Sequence, residues 1–177
     1  MALTDFNLLV STSRGNEDEV ASEIWFLLGE LGDRESLVER TGISGLVVVK
    51  TNLDPFKVID GLRSILTERP EEFRYVLKVI PIEIVVKTRP EEIKRAVEKL
   101  SNRIDEEESF RVTVEKRHTD LSSREIIEAA AGVIERKVNL KNPDKIVLIE
   151  VLGGVTGISI IKPRDILSIP KEKVETF

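Results

Sequence analysis

The chain of 177 residues has no cysteine, no glutamine, a single histidine and a single tryptophan. Without cysteine there is no disulfide, no thiolate nucleophile and no cysteine-ligated zinc. With His118 alone, a two-histidine metal site cannot be assembled, and only one triad centred on that residue stays conceivable. A general base also needs a positioned partner and a substrate pocket, and the residues around His118 indicate neither. No run approaches the roughly 18 consecutive apolar residues of a membrane span, and the start lacks the basic, apolar, small-residue order of a signal peptide. The expectation is a cytoplasmic protein without a membrane partner. Few thermolabile amides beside abundant Glu, Lys, Arg, Ile and Val point to a thermophilic source.

What is present suits folding: 41% hydrophobic and 33% charged residues support one ordinary domain or two small ones. The net charge of −5 argues by itself against nucleic acid, because phosphate binding depends on Lys and Arg. The distribution reverses that. Residues 1–73 carry 14 acidic and 7 basic side chains, whereas residues 74–177 carry 18 and 20. A scaffold joined to an anion-binding module would show such an asymmetry.

Apolar periodicity sets the elements. Residues 7–11 read as a buried strand, and Asn16 with Glu19 as a capped helix start whose Val20, Ile24, Leu27, Leu28 and Leu31 share one stripe. Residues 37–41 and 46–51 read as a hairpin. The segment 42–45 between them lacks the pattern of a phosphate-binding loop. Asp54 and Pro55 open a second helix that ends before Pro70, and residues 76–80 form another strand. The order β-α-β-β-α-β is the ferredoxin-like pattern, with both helices on one face of a four-stranded antiparallel sheet. Trp25, beside the first helix's stripe, reads as packing or an interface anchor.

After Pro81 a second pattern begins. Residues 82–88 alternate as a strand, Thr88 and Glu91 look like a capping box, and Ile93, Val97 and Leu100 recur at helical spacing. Residues 110–117 alternate again, Ser122 and Glu125 supply another capping box, and the helix they open is expected to run to about residue 137. Two apolar strands, 146–151 and 155–161, are joined through Gly153 and Gly154, a pair suited to the positive φ of a tight turn. The domains are therefore expected at 1–81 and 82–177, in an α+β fold.

Phosphate-binding side chains cluster where strands end and helices begin. Lys116, Arg117 and His118 precede Thr119, Ser122, Ser123 and Arg124, around a helix start whose backbone N–H groups also point outward. Arginine can fork two hydrogen bonds to one phosphate, and His118 could stack on an unpaired base. Lys87 and Arg89 flank Thr88 in the same strand-to-helix setting, and Lys162 and Arg164 follow the last long strand. Taken locally, the alternative is ordinary surface charge neutralised by Glu115 and Asp120, with Ser122 doing no more than capping.

The runs FRVTVEKR at 110–117, SSRE at 122–125 and VNLKNPD at 138–144, with the apolar hairpin, resemble a THUMP domain. The resemblance spans nearly the whole chain, since in that family the module follows an N-terminal ferredoxin-like domain. It implies an α/β module that grips tRNA at the acceptor region and single-stranded 3′ end. It also implies an RNA-facing role for Lys116, Arg117, Ser122, Ser123 and Arg124. Lys87, Arg89, His118, Lys162 and Arg164 are added on charge and chemistry. The run RYVLKVIP at 74–81 is similar to the branch that serves as tRNA adaptors for cytidine acetylation. That similarity implies no cofactor of the chain's own and a separate enzyme, an RNA cytidine acetyltransferase, as partner. With only 15 residues after Lys162, no room for a fused catalytic domain is expected, hence no enzyme activity. Two other readings stand beside this one. The acidic first part suits a protein-interaction or ligand-sensing scaffold that never touches RNA, and a self-sufficient RNA-modifying enzyme would need its site within the two small domains.

Overall fold

The computed structural model describes residues 4–176. They form a mixed α+β chain of two compact units, the first comprising residues up to 82 together with 165 onward, the second residues 83–164. The tail thus departs from the expected 82–177 domain and returns to the first unit.

In the first unit, β1 (Leu8–Ser11), α1 (Glu17–Glu30), β2 (Leu37–Arg40), β3 (Leu46–Lys50), α2 (Pro55–Glu68) and β4 (Lys78–Pro81) follow the ferredoxin-like order. The strands lie as β4-β1-β3-β2, all antiparallel. Alternation decides which side chains meet the helices: Leu8, Val10, Val47, Val49 and Val79 join Val20, Ile24, Leu27, Ile59 and Leu62 in one core. Gly61 permits the close approach of α2 to Leu31, because a Cβ there would lie 2.7 Å from a Leu31 methyl.

Capping follows the sequence at one of the two helix starts. Asp54 accepts a hydrogen bond from the Phe56 N–H at 2.8 Å, a cap of about 1 kcal/mol. Asn16 makes no side-chain cap. Beside it the buried Glu17 carboxylate accepts from the Gly45 N–H at 3.1 Å and the Gly15 N–H at 3.4 Å, which ties the start of α1 to the turn before β3. Those backbone hydrogen bonds, that from Gly45 foremost, hold the Glu17 carboxyl below its ordinary range.

The run at 74–81 is structural in this unit. The Glu23 carboxylate accepts from the N–H groups of Arg74, Tyr75 and Val76 at 2.7–3.2 Å, which delivers the chain into β4. The sheet has a fifth strand that periodicity did not reveal. Residues Leu167–Ser168 pair antiparallel with β4, placing Leu167 opposite Val79 and extending the buried row Val79, Val10, Val47. Two residues are too few to show alternation.

The second unit contains, in order, β5 (Ile84–Lys87), α3 (Pro90–Leu100), β6 (Ser109–Arg117), α4 (Ser123–Ala131), β7 (Lys137–Val138), β8 (Lys145–Leu152) and β9 (Val155–Ile161). The tail strand Leu167–Ser168 is β10 and the helix after it, Ile169–Thr176, is α5. The second sheet runs β5-β9-β8-β6-β7, with β6 parallel to β8 and to β7, and β9 antiparallel to β8 and β5. Helices α3 and α4 pack Ile93, Ala96, Val97, Ile126 and Ala130 against Val147, Ile149, Val151, Ile158 and Ile160. Helix α4 ends at Ala131, short of the expected residue 137. Tighter turns follow, from Val133 N–H to the Ala130 carbonyl and Ile134 N–H to Ala131, so the chain can add β7 beside β6. Pairing along a sheet edge overrode a helical pattern of small and β-branched residues.

Candidate nucleic-acid interface

Strand direction creates the site. Strands β5, β6 and β8 run the same way, so Lys87, Arg117 and Leu152 end at one edge, where β8 turns into β9. Both helices start there, because each follows one of these strands. The carboxyl ends of strands are where an open α/β sheet offers loops and helix N-termini to a ligand. Gly153 makes the turn with φ +63°, and Gly154 does not share the positive angle. Three hydrogen bonds lace the edge together: Gly153 N–H to the Arg117 carbonyl at 2.8 Å, Thr88 N–H to the Gly154 carbonyl at 3.0 Å, and Thr88 Oγ1 with Thr156 Oγ1 at 2.8 Å.

This lacing corrects the expected capping box at α3. Thr88 is drawn to Thr156, Arg89 becomes the residue before the helix, and it makes no side-chain cap. Its guanidinium is left exposed, as is the Lys87 ammonium, and among the described residues neither forms an ion pair. At α4 the capping box forms: Ser122 Oγ accepts from the Glu125 N–H at 3.1 Å, and Glu125 reaches back to Ser122. Ser122 is therefore a helix cap first, its hydroxyl also engaged with the Glu125 carboxylate at 3.1 Å. Ser123 opens the helix half-buried. Arg124 is exposed beside Glu128 in an i,i+4 pair at 2.9 Å, and solvent makes that pair weak.

Lys116 and Arg117 part company. Successive side chains on a strand point to opposite faces. Lys116 lies on the helix side and donates to the Leu121 carbonyl at 3.2 Å while remaining exposed. Arg117 lies on the other side and donates to Glu150 Oε2 at 2.7 Å. Glu150 is only 2% exposed, so the arginine supplies counter-charge to a carboxylate held away from water. Arg117, expected as an RNA-facing cation, thus also has an internal role that the sequence did not reveal. Glu150 is the partner that sequence reasoning missed. It is the lone charge between Ile146 and Leu152 in an otherwise apolar strand, and such a charge demands a counter-ion.

His118 is exposed and adopts φ +56°, the one residue other than glycine in the left-handed region among those described. The angle turns the chain out of β6 above Gly153, whose hypothetical Cβ would sit 3.8 Å from that of His118. Histidine tolerates this region better than β-branched residues, for which it costs about 1–2 kcal/mol. We expect His118→Gly to melt no lower than the parent and His118→Val to lose about 1–2 kcal/mol in thermal unfolding. Equal melting of the valine variant would show that nothing holds the left-handed turn.

Lys162 and Arg164 do not belong to this edge. They follow Ile161, the far end of β9, which pairs with Ile146 near the start of β8. Seven residues of strand separate the two ends by about 20 Å. The carboxyls held below their usual range in this unit also sit away from the edge. Glu108 is held by the Lys145 ammonium at 2.8 Å, and Asp144 by the backbone and hydroxyl of Ser109. Among the described residues no group of three or more His, Cys, Asp or Glu side chains is arranged to hold a metal.

The edge therefore carries Lys87, Arg89, Lys116, His118 and Arg124 as exposed groups at the strand ends and helix starts, with Lys116 on the helix face and Lys87 on the opposite face beside Arg117, and with Ser122 capping α4. Lys87 and Arg117 occupy the same transverse row, three strand spacings or about 14 Å apart. That span suits a ligand with repeated negative charges better than a single small anion.

Comparison with known proteins places this geometry. The THUMP domain model matches residues 87–161, which include both helix starts and the turn. THUMP domain-containing protein 1 of Bos taurus is 25% identical over 172 residues, covering 86% of this chain and 47% of the relative. The chain spans about half the length of the curated relatives it matches. Among solved structures, PH1313 of Pyrococcus horikoshii superposes with a TM-score of 0.65 at 22% identity, over 89% of this chain and 55% of that one. A 4-thiouridine synthetase solved as an RNA complex with bound ATP superposes at 0.55 and 16% identity, over 89% and 42%. These likenesses share the fold.

Proposed function

We propose, taking a THUMP domain at residues 87–161 as the premise, that the chain binds tRNA and presents it to a separate modifying enzyme without performing chemistry itself. The observation that carries this is the convergence of Lys87, Arg89, Lys116, His118 and Arg124 at the carboxyl ends of three co-directional strands. Exposed cations take phosphates, exposed helix-start N–H groups take further oxygens, and His118, projecting from a left-handed turn, offers a flat ring to an unstacked base. Such a mixture suits a structured RNA with a single-stranded end. The fold shared with a synthetase solved with RNA supports the reading.

The enzyme served is, on the resemblance of residues 74–81, an RNA cytidine acetyltransferase. Binding of intact tRNA should exceed binding of tRNA lacking its single-stranded 3′ end by at least tenfold. Equal, weak affinity for the two would remove the acceptor-end reading. Acetylcytidine formation by the partner enzyme should rise when this protein is added, and turnover by this protein alone with tRNA and any common donor would make it an enzyme instead.

A further inference from the structure

The first unit exposes an apolar surface that the RNA reading does not use. Trp25 and Phe26 on α1 are each 48% exposed. With Ala21, Ser22 and Val38 they line an open hollow of about 530 Å³ between α1 and β2. Two adjacent large aromatics half in water are uncommon on a helix whose neighbours at 24, 27 and 28 are wholly buried. Trp25 is the chain's only tryptophan. Strand β2 bounds the hollow and is the outermost strand of its sheet, so among the described residues its outer backbone groups have no strand to pair with.

The rim is acidic. Asp18 lies on the same helix row as Ser22 and Trp25, and its side chain is 81% exposed, with Arg40 at 3.5 Å. Glu19, Glu23 and Glu30 share the row of Phe26. Glu23 is engaged with backbone N–H groups, Glu30 with Arg69 and Asp18 with Arg40, and Asp18 and Glu19 are exposed to water. Residues 1–73, which contain the hollow, carry twice as many acidic as basic side chains.

We propose that this hollow docks an extended segment of a partner protein in which an aliphatic side chain is flanked by lysines or arginines. The aliphatic group would sit between Trp25 and Val38, the cations would face Asp18 and Glu19, and the segment's backbone would run beside the outer edge of β2. Strand addition of this kind takes affinity from the backbone and specificity from alternate side chains. The surface deepens the adaptor reading, since an adaptor has to hold its enzyme, but it stands on its own residues and is tested without RNA.

The probe is an alternating Lys-Leu peptide of about eight residues, with the Glu-Leu peptide of equal length as control, added to the full chain while Trp25 emission is followed. The Lys-Leu peptide should produce a saturable blue shift that weakens with salt, and the Glu-Leu peptide should not. Asp18→Lys and Phe26→Ser, both at exposed positions, should each weaken the shift at least fivefold while circular dichroism stays unchanged. No shift, or equal shifts with both peptides, would overturn the proposal. So would a blue shift that grows with protein concentration alone and tracks dimer formation, because the occupant would then be a second copy. A variant lacking Lys87 and Arg89 should keep peptide binding, so that failure of the RNA reading and failure of this surface register separately.

Discussion

Replacing Lys87, Arg89, Lys116 and Arg124 together by alanine should lower affinity for tRNA by roughly 10²–10³-fold near 0.15 M salt, and flatten the salt dependence by about three units of log–log slope. The magnitude follows from counterion release: each neutralised phosphate contributes about 0.7–0.9 to the slope, and at this salt each is worth about fourfold to fivefold in affinity. The fold should survive the change. Lys87 and Arg89 make no ion pair among the described residues, Lys116 gives up one exposed hydrogen bond, and Arg124 gives up an exposed pair worth about 0.3–0.5 kcal/mol. The double variant Lys162→Ala and Arg164→Ala is the matched comparison. Its cations lie at the far end of β9, so its slope should change little. Filter binding across a salt series separates the two. If the Lys162 and Arg164 variant flattens the slope as much as the fourfold variant, the strand-end site is wrong.

Arg117→Ala should behave quite differently, costing about 3–5 kcal/mol of stability in urea unfolding. The reason is the pairing with Glu150, which is 2% exposed and held at 2.7 Å. Deleting the guanidinium takes a counter-charge and a charge-assisted hydrogen bond from a carboxylate held away from water, and that penalty exceeds what any single surface contact supplies. Replacing both partners by apolar residues, Arg117→Met with Glu150→Leu, removes the buried charge altogether and should recover most of the loss. A cost under 1 kcal/mol for Arg117→Ala would mean that Glu150 does not depend on the arginine. Loss of tRNA binding in the single variant would report unfolding, and the double variant is the one that asks whether Arg117 touches RNA.

These two results divide residues that looked alike in the sequence. Lys116 and Arg117 are adjacent cations in one basic run, yet the strand sends one to the helix side and the other to a buried acid. Ser122 and Thr88 both headed capping boxes on paper. Only Ser122 caps, because Thr88 finds Thr156 across the sheet. Asn16 makes no side-chain cap, while its neighbour Glu17 is tied to Gly45, 28 residues away.

What was legible by itself was what local chemistry decides. Alternation of apolar residues along strands, the helical stripes on α1 to α4, the Asp54 and Ser122 caps and the Gly153 turn all follow from forces acting within a few residues. From these came the ferredoxin-like order, the α/β module after it, and the strand ends where cations cluster. Tertiary structure alone decided the rest, because it depends on which distant segments meet. Leu167 joined the first core by pairing with Val79, α4 stopped early so that β7 could pair with β6, and the end of β9, after which Lys162 and Arg164 follow, lies about 20 Å along the strand from the edge where Lys87 and Lys116 gather. A charge's role is set by its partner, and for Arg117 that partner lies 33 residues along the chain, on a strand whose register only the folded sheet determines.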